Sequence, residues 1–115
     1  MAAITETLLT GTGAREITET TLGASDTLTY RSGAMQVLTI TNDTGSAITP
    51  NIVGDEATTE SVPGYGTVSV ASGYTTTSIA DGEVFAIPLD SIRAYLKGDI
   101  TVTGGDGAVV TLTGY

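Results

Sequence analysis

The 115-residue chain contains no cysteine, no histidine and no tryptophan. Without cysteine, neither disulfides nor thiolate metal ligands can hold the fold together. Without histidine, the usual general base near neutral pH and the commonest metal-ligating side chain are missing. Ser/His/Asp and Cys/His catalytic arrangements are therefore impossible, and the sequence argues against an enzyme.

Basic residues are also scarce. Thirteen acidic residues face only four basic ones, and the formal net charge is −9. The four cations are Arg15, Arg31, Arg93 and Lys97. Four scattered cations do not make a basic patch, so the composition argues against nucleic acid and anionic membrane surfaces as partners. A partner with a positive surface remains open.

The chain has no targeting or membrane-spanning pattern. Its first residues lack a basic region followed by a continuous apolar region, which argues against a secretory signal. No run approaches the roughly 18 apolar residues of a membrane span. We therefore expect a soluble protein made in the cytoplasm, with a length that suits one domain.

With one phenylalanine and no tryptophan, the core must be built mainly from Ile, Leu, Val and Ala. Tyr74 and Tyr95 are expected to take the place of the missing large aromatics in that core. The alternative is that exposed tyrosines form a binding surface, since tyrosine is enriched at interfaces. Tyr65, between two glycines in an acidic stretch, and Tyr115, at the end, fit that alternative best.

Threonine alternates with branched apolar residues in several segments, and the chain holds twenty-three threonines. This period of two predicts half-buried strands with apolar side chains inward and threonines outward. Three pairs are predicted to enter the core: Leu38 with Ile40, Ile100 with Val102, and Val110 with Leu112.

Glycine, proline and asparagine punctuate the chain into eight or nine short strands. Residues 35–41 and 47–53 are expected to pair around the turn at 42–46, with Pro50 marking an edge strand or a bulge. Residues 99–103 and 108–113 are expected to form a hairpin. Residues 54–66 are predicted to be an exposed loop.

Residues 88–97 change period. Leu89, Ile92 and Leu96 recur at helical spacing, with Pro88 at the start and Gly98 just beyond the end. One helical turn is predicted near 89–97. The strand spacing of about 8 to 12 residues suggests an all-β fold, an antiparallel sandwich or barrel, over residues 15–115. Residues 1–14 are predicted to be either an N-terminal arm or a first strand.

A carboxylate pair for glycoside hydrolysis is formally available. The candidates are Asp55, Glu56, Glu60, Asp81 and Glu83. The sequence supplies no aromatic sugar platform beside them, so solvated loop carboxylates are the better interpretation. Calcium needs six to eight oxygen ligands in a defined set, and no EF-hand spacing is present. We therefore predict no catalytic residue, no metal, no cofactor and no small-molecule substrate.

The second half of the chain resembles small capsid decoration, or cement, proteins of tailed bacteriophages. The resemblance covers residues 35–115. It is one of size and of threonine and glycine content, with no chemically diagnostic motif. It is carried by the segments YGTVSV at 65–70, GY at 73–74, IPLD at 87–90, YLKG at 95–98 and ITVTGG at 100–105. It implies a jelly-roll-like β-sandwich that assembles as a homotrimer on the outer capsid surface, bound to the major capsid protein.

In that role the protein would be a non-enzymatic component of the virion. Ile4, Leu8 and Leu9 are predicted as apolar contacts of an N-terminal arm, with Arg15 anchoring its base. Tyr65 and Tyr115 are predicted at a capsid or subunit interface. Two other classes stay open: a carbohydrate or receptor-binding sandwich module, and a tail-tube or head-completion subunit.

Overall fold

A computed structural model of the protein describes residues 2–64 and 66–115. Within those residues the chain forms twelve strands and one 3-10 helix. The first six strands are β1 (Ala2–Ala3), β2 (Glu6–Leu8), β3 (Glu19–Thr21), β4 (Ser25–Leu28), β5 (Val37–Thr41) and β6 (Asn51–Gly54). They are followed by β7 (Thr59–Val62), β8 (Gly66–Ser69), β9 (Tyr74–Thr75), β10 (Val84–Pro88), the 3-10 helix (Leu89–Tyr95), β11 (Ile100–Thr103) and β12 (Val109–Gly114).

The strands form two main sheets and a separate hairpin of β7 and β8. The first sheet has the order β10-β5-β12-β2, and β3 pairs with β12 along the same side as β2. The second sheet has the order β1-β4-β11-β6-β9. Buried residues of both sheets form one hydrophobic cluster, so the two sheets pack face to face as an all-β sandwich.

The main strands pair in a nested order. β3 pairs with β12, β4 with β11, β5 with β10 and β6 with β9, all antiparallel. Successive pairs alternate between the two sheets. The chain therefore behaves as one long hairpin folded over itself, which is the topology of a jelly roll. The predicted jelly-roll-like β-sandwich is confirmed, but it has twelve short strands within the described residues, not eight or nine.

Alternation along the strands positions the core as predicted. Leu38 and Ile40 on β5 are fully buried, and Val110 and Leu112 on β12 are at most 1% exposed. Ile100 and Val102 on β11 are also buried, on the opposite side of the core. The threonines between these residues are half-buried and face outward from the sandwich.

Both predicted strand pairings around turns are wrong. β11 and β12 lie in different sheets, and so do β5 and β6. The glycine-rich segment after β11 crosses from one sheet to the other instead of reversing within one. At this crossing Gly104 has φ +80° and lies so close to the carbonyl oxygen of Thr49 that a Cβ would be 2.7 Å from it. Period-two alternation predicts which face a strand buries, and does not predict its neighbour.

Two further sequence predictions need correction. Residues 54–66 are not one loop, because β7 lies within them and pairs with β8. Pro50 does not mark an edge strand: it precedes β6, which lies between β11 and β9. The carbonyl of Pro50 accepts a hydrogen bond from the Thr76 amide. Proline has no backbone N–H, so the carbonyl is the one backbone group with which it can form such a bond.

The helical turn predicted near 89–97 is confirmed as the 3-10 helix. Leu89, Ile92 and Leu96 are all buried, as their spacing predicted. Ile92 has non-helical dihedrals, which produces a kink. The hydroxyl of Tyr30 donates a hydrogen bond to Asp90 in the first turn of this helix, joining the helix to the segment after β4.

The expectation that Tyr74 and Tyr95 serve the core is confirmed. Both side chains are partly buried and pack against the hydrophobic cluster. Their ring centroids are 6.1 Å apart with the planes tilted by 57°. That separation falls in the range favoured by aromatic pairs.

A fully buried asparagine joins two of the connections at one end of the sandwich. The side-chain amide of Asn42 donates to the carbonyls of Ser46 (2.7 Å) and Ile79 (2.8 Å). Its side-chain oxygen accepts hydrogen bonds from the amide and the hydroxyl of Thr44. Every polar atom of the side chain is therefore satisfied without water.

Replacing Asn42 by alanine should lower the free energy of unfolding by about 2 to 3 kcal/mol, because buried carbonyl and amide groups lose their partners. Urea unfolding measures this loss. Asp43→Ala is the matched control, since Asp43 is the exposed neighbour in the same turn and its loss should cost less than about 0.5 kcal/mol. Equal effects of the two substitutions would contradict this account of the buried network.

Candidate functional site: an apolar patch beside the C-terminus

Residues 2–8 contribute a strand to each sheet of the sandwich. β1 runs parallel to β4 in the second sheet, and β2 runs parallel to β12 in the first. Ile4, between them, is 6% exposed and donates its amide hydrogen to the carbonyl of Thr27. Of the two alternatives for residues 1–14, the described residues of this segment therefore include strands of both sheets. Ile4 is a core side chain and leaves no surface for a partner.

The two ends of the chain meet beside the end of β5. The amide of Leu9 donates to the carbonyl of Gly114, and the amide of Tyr115 donates to the carbonyl of Ala34, both at 2.7 Å. These bonds bring Leu8, Leu9, Met35 and Tyr115 to one end of the first sheet. We call these four residues the C-terminal patch.

The C-terminal patch is apolar and open to solvent. The exposed fractions are 67% for Met35, 55% for Tyr115 and 50% for Leu8, while Leu9 is half-buried. Ile17 and Val84 are the other large apolar side chains exposed to a similar degree among the residues whose exposure the structure describes. Leu8 pairs with Gly114 and Leu9 is the next residue of the same extended segment, so the two leucine side chains face opposite sides of the sheet edge. Several exposed apolar side chains at one end of a sheet are typical of an interaction surface.

An ion pair lies directly behind the patch. The Arg31 guanidinium binds the Glu6 carboxylate with two hydrogen bonds, Nε to Oε1 at 3.0 Å and Nη2 to Oε2 at 2.5 Å. Nη2 also donates to the carbonyl oxygen of Tyr115 at 3.2 Å. One side chain therefore fixes the N-terminal strand and the last residue together. Two parallel hydrogen bonds between a guanidinium and a carboxylate are the strong form of this ion pair.

Two buried residues hold the ion pair in place. Gln36, 1% exposed, accepts a hydrogen bond from the Arg31 amide at 2.7 Å and donates one to the carbonyl of Thr29. Gly114 lies against Glu6, Gln36 and Arg31 so closely that a Cβ would collide with the Glu6 carboxylate. The patch is thus supported by a packed polar layer with no room for a larger residue at 114.

Met35 adds a strained backbone to this surface. Its φ is +53°, and it is the one residue other than glycine with positive φ in the described chain. Beside it lies a groove of about 250 Å³, lined by Met35, Gln36, Val37, Pro88 and Asp90. Met35 was predicted at the start of the strand over residues 35–41, and the sequence pattern did not indicate its exposure. Nothing in the residue pattern distinguishes an exposed methionine from a core one.

The other predicted interface residues have different surroundings. Arg15 is exposed, and its guanidinium donates to the carbonyls of Thr10, Thr12 and Ala14. It therefore closes a turn within residues 10–15. Tyr65 lies outside the described residues. The interface roles of Leu8, Leu9 and Tyr115 remain predictions, now with a shared location.

The loop carboxylates accept hydrogen bonds from turns. Asp55 accepts a backbone hydrogen bond from Asp99, Asp81 one from Gly45, and Glu83 one from Ala80. Across residues 2–64 and 66–115, no group of three or more acidic side chains is placed to hold a metal ion. The same residues contain no helix with the length and apolar character that a membrane crossing requires.

Comparisons with protein-family models, curated proteins and solved structures found no match to this chain.

Removing the Glu6 charge should weaken the fold in a pH-dependent way. The hydrogen bond from Arg31 lowers the pKa of the Glu6 carboxyl, against a smaller opposing effect of burial. The ion pair therefore stabilises the fold above the pKa of an unfolded glutamate, about 4.3, and this contribution is lost as pH falls through the lower folded value. Glu6→Gln should cost about 1 kcal/mol at neutral pH, kept small because the Arg31 side chain is 40% exposed.

Urea unfolding between neutral pH and about pH 3 tests this pH dependence. The difference in free energy of unfolding between Glu6→Gln and the unaltered chain should shrink as the pH falls. Glu19→Gln is the matched control, because Glu19 lies exposed on neighbouring β3 and forms no ion pair within the described residues. A gap that stays constant across the pH range would show that the Glu6 charge does not stabilise this fold.

Proposed function

We propose that this protein is a non-enzymatic virion structural protein that decorates and stabilises a phage capsid. It binds the outer surface of the major capsid protein as an oligomer. The observation that carries the proposal is the C-terminal patch: a preformed apolar surface, at one end of the sandwich, on a highly acidic chain. The likeness of residues 35–115 to cement proteins supports the same role.

The physical character of the patch suits binding to a large assembly. Its backbone is already ordered by the Glu6–Arg31 ion pair and by the hydrogen bond between Tyr115 and Ala34. Binding therefore loses little further conformational entropy. Tyrosine and methionine supply large contact areas, and tyrosine is among the residues that dominate binding energy at interfaces.

The charge distribution favours a partner over self-aggregation. A net charge of −9 opposes nonspecific aggregation of the chain and still allows a specific contact in which no like charges face each other. A shell surface with positive potential would attract the chain and direct its apolar patch into contact. The homotrimer implied by the resemblance is part of this proposal, as is a location on the capsid surface after synthesis in the host cytoplasm.

Co-sedimentation with expanded shells of a tailed-phage major capsid protein tests the proposal. Tyr115→Ala combined with Met35→Ser should weaken shell binding by about tenfold or more, because an exposed aromatic anchor is lost. Ala47→Ser is the matched control, since Ala47 is exposed in the connection that follows β5, at the other end of that strand from Met35.

Equal shell binding by the patch variant and the control would remove the C-terminal patch from the mechanism. Absence of shell binding by the unaltered chain, together with binding on a glycan array, would replace the proposal with a carbohydrate-binding module. Rings or tubes of the chain alone in negative-stain images would favour a tail-tube subunit.

A further inference from the structure

One edge of the first sheet is long, apolar and unpaired. β10 pairs with β5 on one side and with no other strand of the described chain on the other. Its five residues, VFAIP, carry no charge. Val84, Ala86 and Pro88 are exposed, and Val84 is 57% exposed. Folded proteins usually protect such an edge with charged residues, a bulge or a covering segment.

The register shows which backbone groups face outward. Hydrogen bonds from Asn42 to the carbonyl of Glu83 and from Leu89 to the carbonyl of Gln36 flank the β10–β5 ladder. Because bonded and non-bonded pairs alternate in an antiparallel ladder, Phe85 and Ile87 bond to β5. The N–H and C=O groups of Val84 and Ala86 therefore point away from the sheet.

The other described edges of the two main sheets differ from this one. β1 and β9, at the edges of the second sheet, have two residues each. The remaining edge of the first sheet is divided between β2 and β3, with three residues each. Of these edges, β10 is the one on which two alternate residues, Val84 and Ala86, both point their N–H and C=O groups away from the sheet. A new strand therefore fits best there.

We propose that β10 pairs antiparallel with β10 of a second copy of this chain, across a two-fold axis at Phe85. In this register Val84 faces Ala86 of the other copy, and the two such pairs form four backbone hydrogen bonds. An axis at Ala86 would instead place Pro88 opposite Val84, and the missing proline N–H would reduce six possible bonds to four. The number of bonds is then the same, but the Val84 carbonyl of each copy would lack a donor. The Phe85 register pairs every outward group of Val84 and Ala86, and is therefore favoured.

The surroundings of β10 permit this pairing despite the net charge. On the outer face of neighbouring β5, the side chains are Val37, Thr39 and Thr41, none of them charged. The nearest carboxylate on the strand's flank, Glu83, would face Ile87 of the other copy, not a second carboxylate. Like charges directly opposite each other, which oppose strand pairing, are thus avoided.

This contact goes beyond the proposed function and is independent of it. A two-fold contact produces even-numbered assemblies, as dimers or as trimers joined in pairs, whereas a trimer alone does not use it. Stoichiometry in solution therefore tests the edge contact without any capsid. Loss of shell binding would affect the proposed function and leave this inference standing.

Native mass spectrometry and sedimentation velocity across a concentration series should show even-numbered assemblies of the unaltered chain. Val84→Lys should raise the dissociation constant of the two-fold contact by about tenfold, because each copy brings a lysine into the paired edge. Ala86→Pro should also weaken it, because that residue's N–H points outward and its loss spares the bond to β5.

Ala86→Ser, which keeps the N–H, is the matched control for the proline. Thr67→Lys, on an exposed residue of β8, is the control for the added charge. Both controls should associate as the unaltered chain does, with circular dichroism showing that all variants are folded. Only monomers or trimers at every concentration, or even-numbered assemblies unaffected by Val84→Lys and Ala86→Pro, would overturn the proposal.

Discussion

Burial of β12 (Val109–Gly114) is the constraint on which the rest of the structure depends. It pairs with β5 on one side and with β2 and β3 on the other, so it joins both ends of the chain to the middle of the first sheet. Its inward residues Val110 and Leu112 are at most 1% exposed. Without β12, β2 and β3 would lose the strand they pair with, and β5 would lose one of its two partners.

The central place of β12 also explains why the candidate site lies at the chain ends. Tyr115 follows β12 directly. Because β2 runs parallel to β12, Leu8 and Leu9 lie at the same end of the sheet. The Glu6–Arg31 pair then holds both ends together. The apolar patch is thus a consequence of the nested pairing. A surface built on the termini is ordered only because the sandwich already holds them.

Sequence patterns predicted the elements better than their arrangement. The inward residues of β5, β11 and β12 followed from alternation, and the helical turn followed from Leu89, Ile92 and Leu96, because burial of one face is a local property. The hairpin at 99–113 did not form, since pairing depends on which sheet each strand joins. Of the candidate site, Leu8, Leu9 and Tyr115 were predicted separately, while Met35 was missed.

By itself, the sequence determined an all-β fold with an aliphatic core, and it left out the side chains needed for thiolate or histidine chemistry. Those conclusions follow from composition and from the period of two, which each strand carries alone. Only the tertiary structure decided that successive strands cross between sheets, that Arg31 meets Glu6 and Tyr115, and that β10 is left as an open edge. Each of these depends on contacts between residues distant in sequence, which no local pattern records.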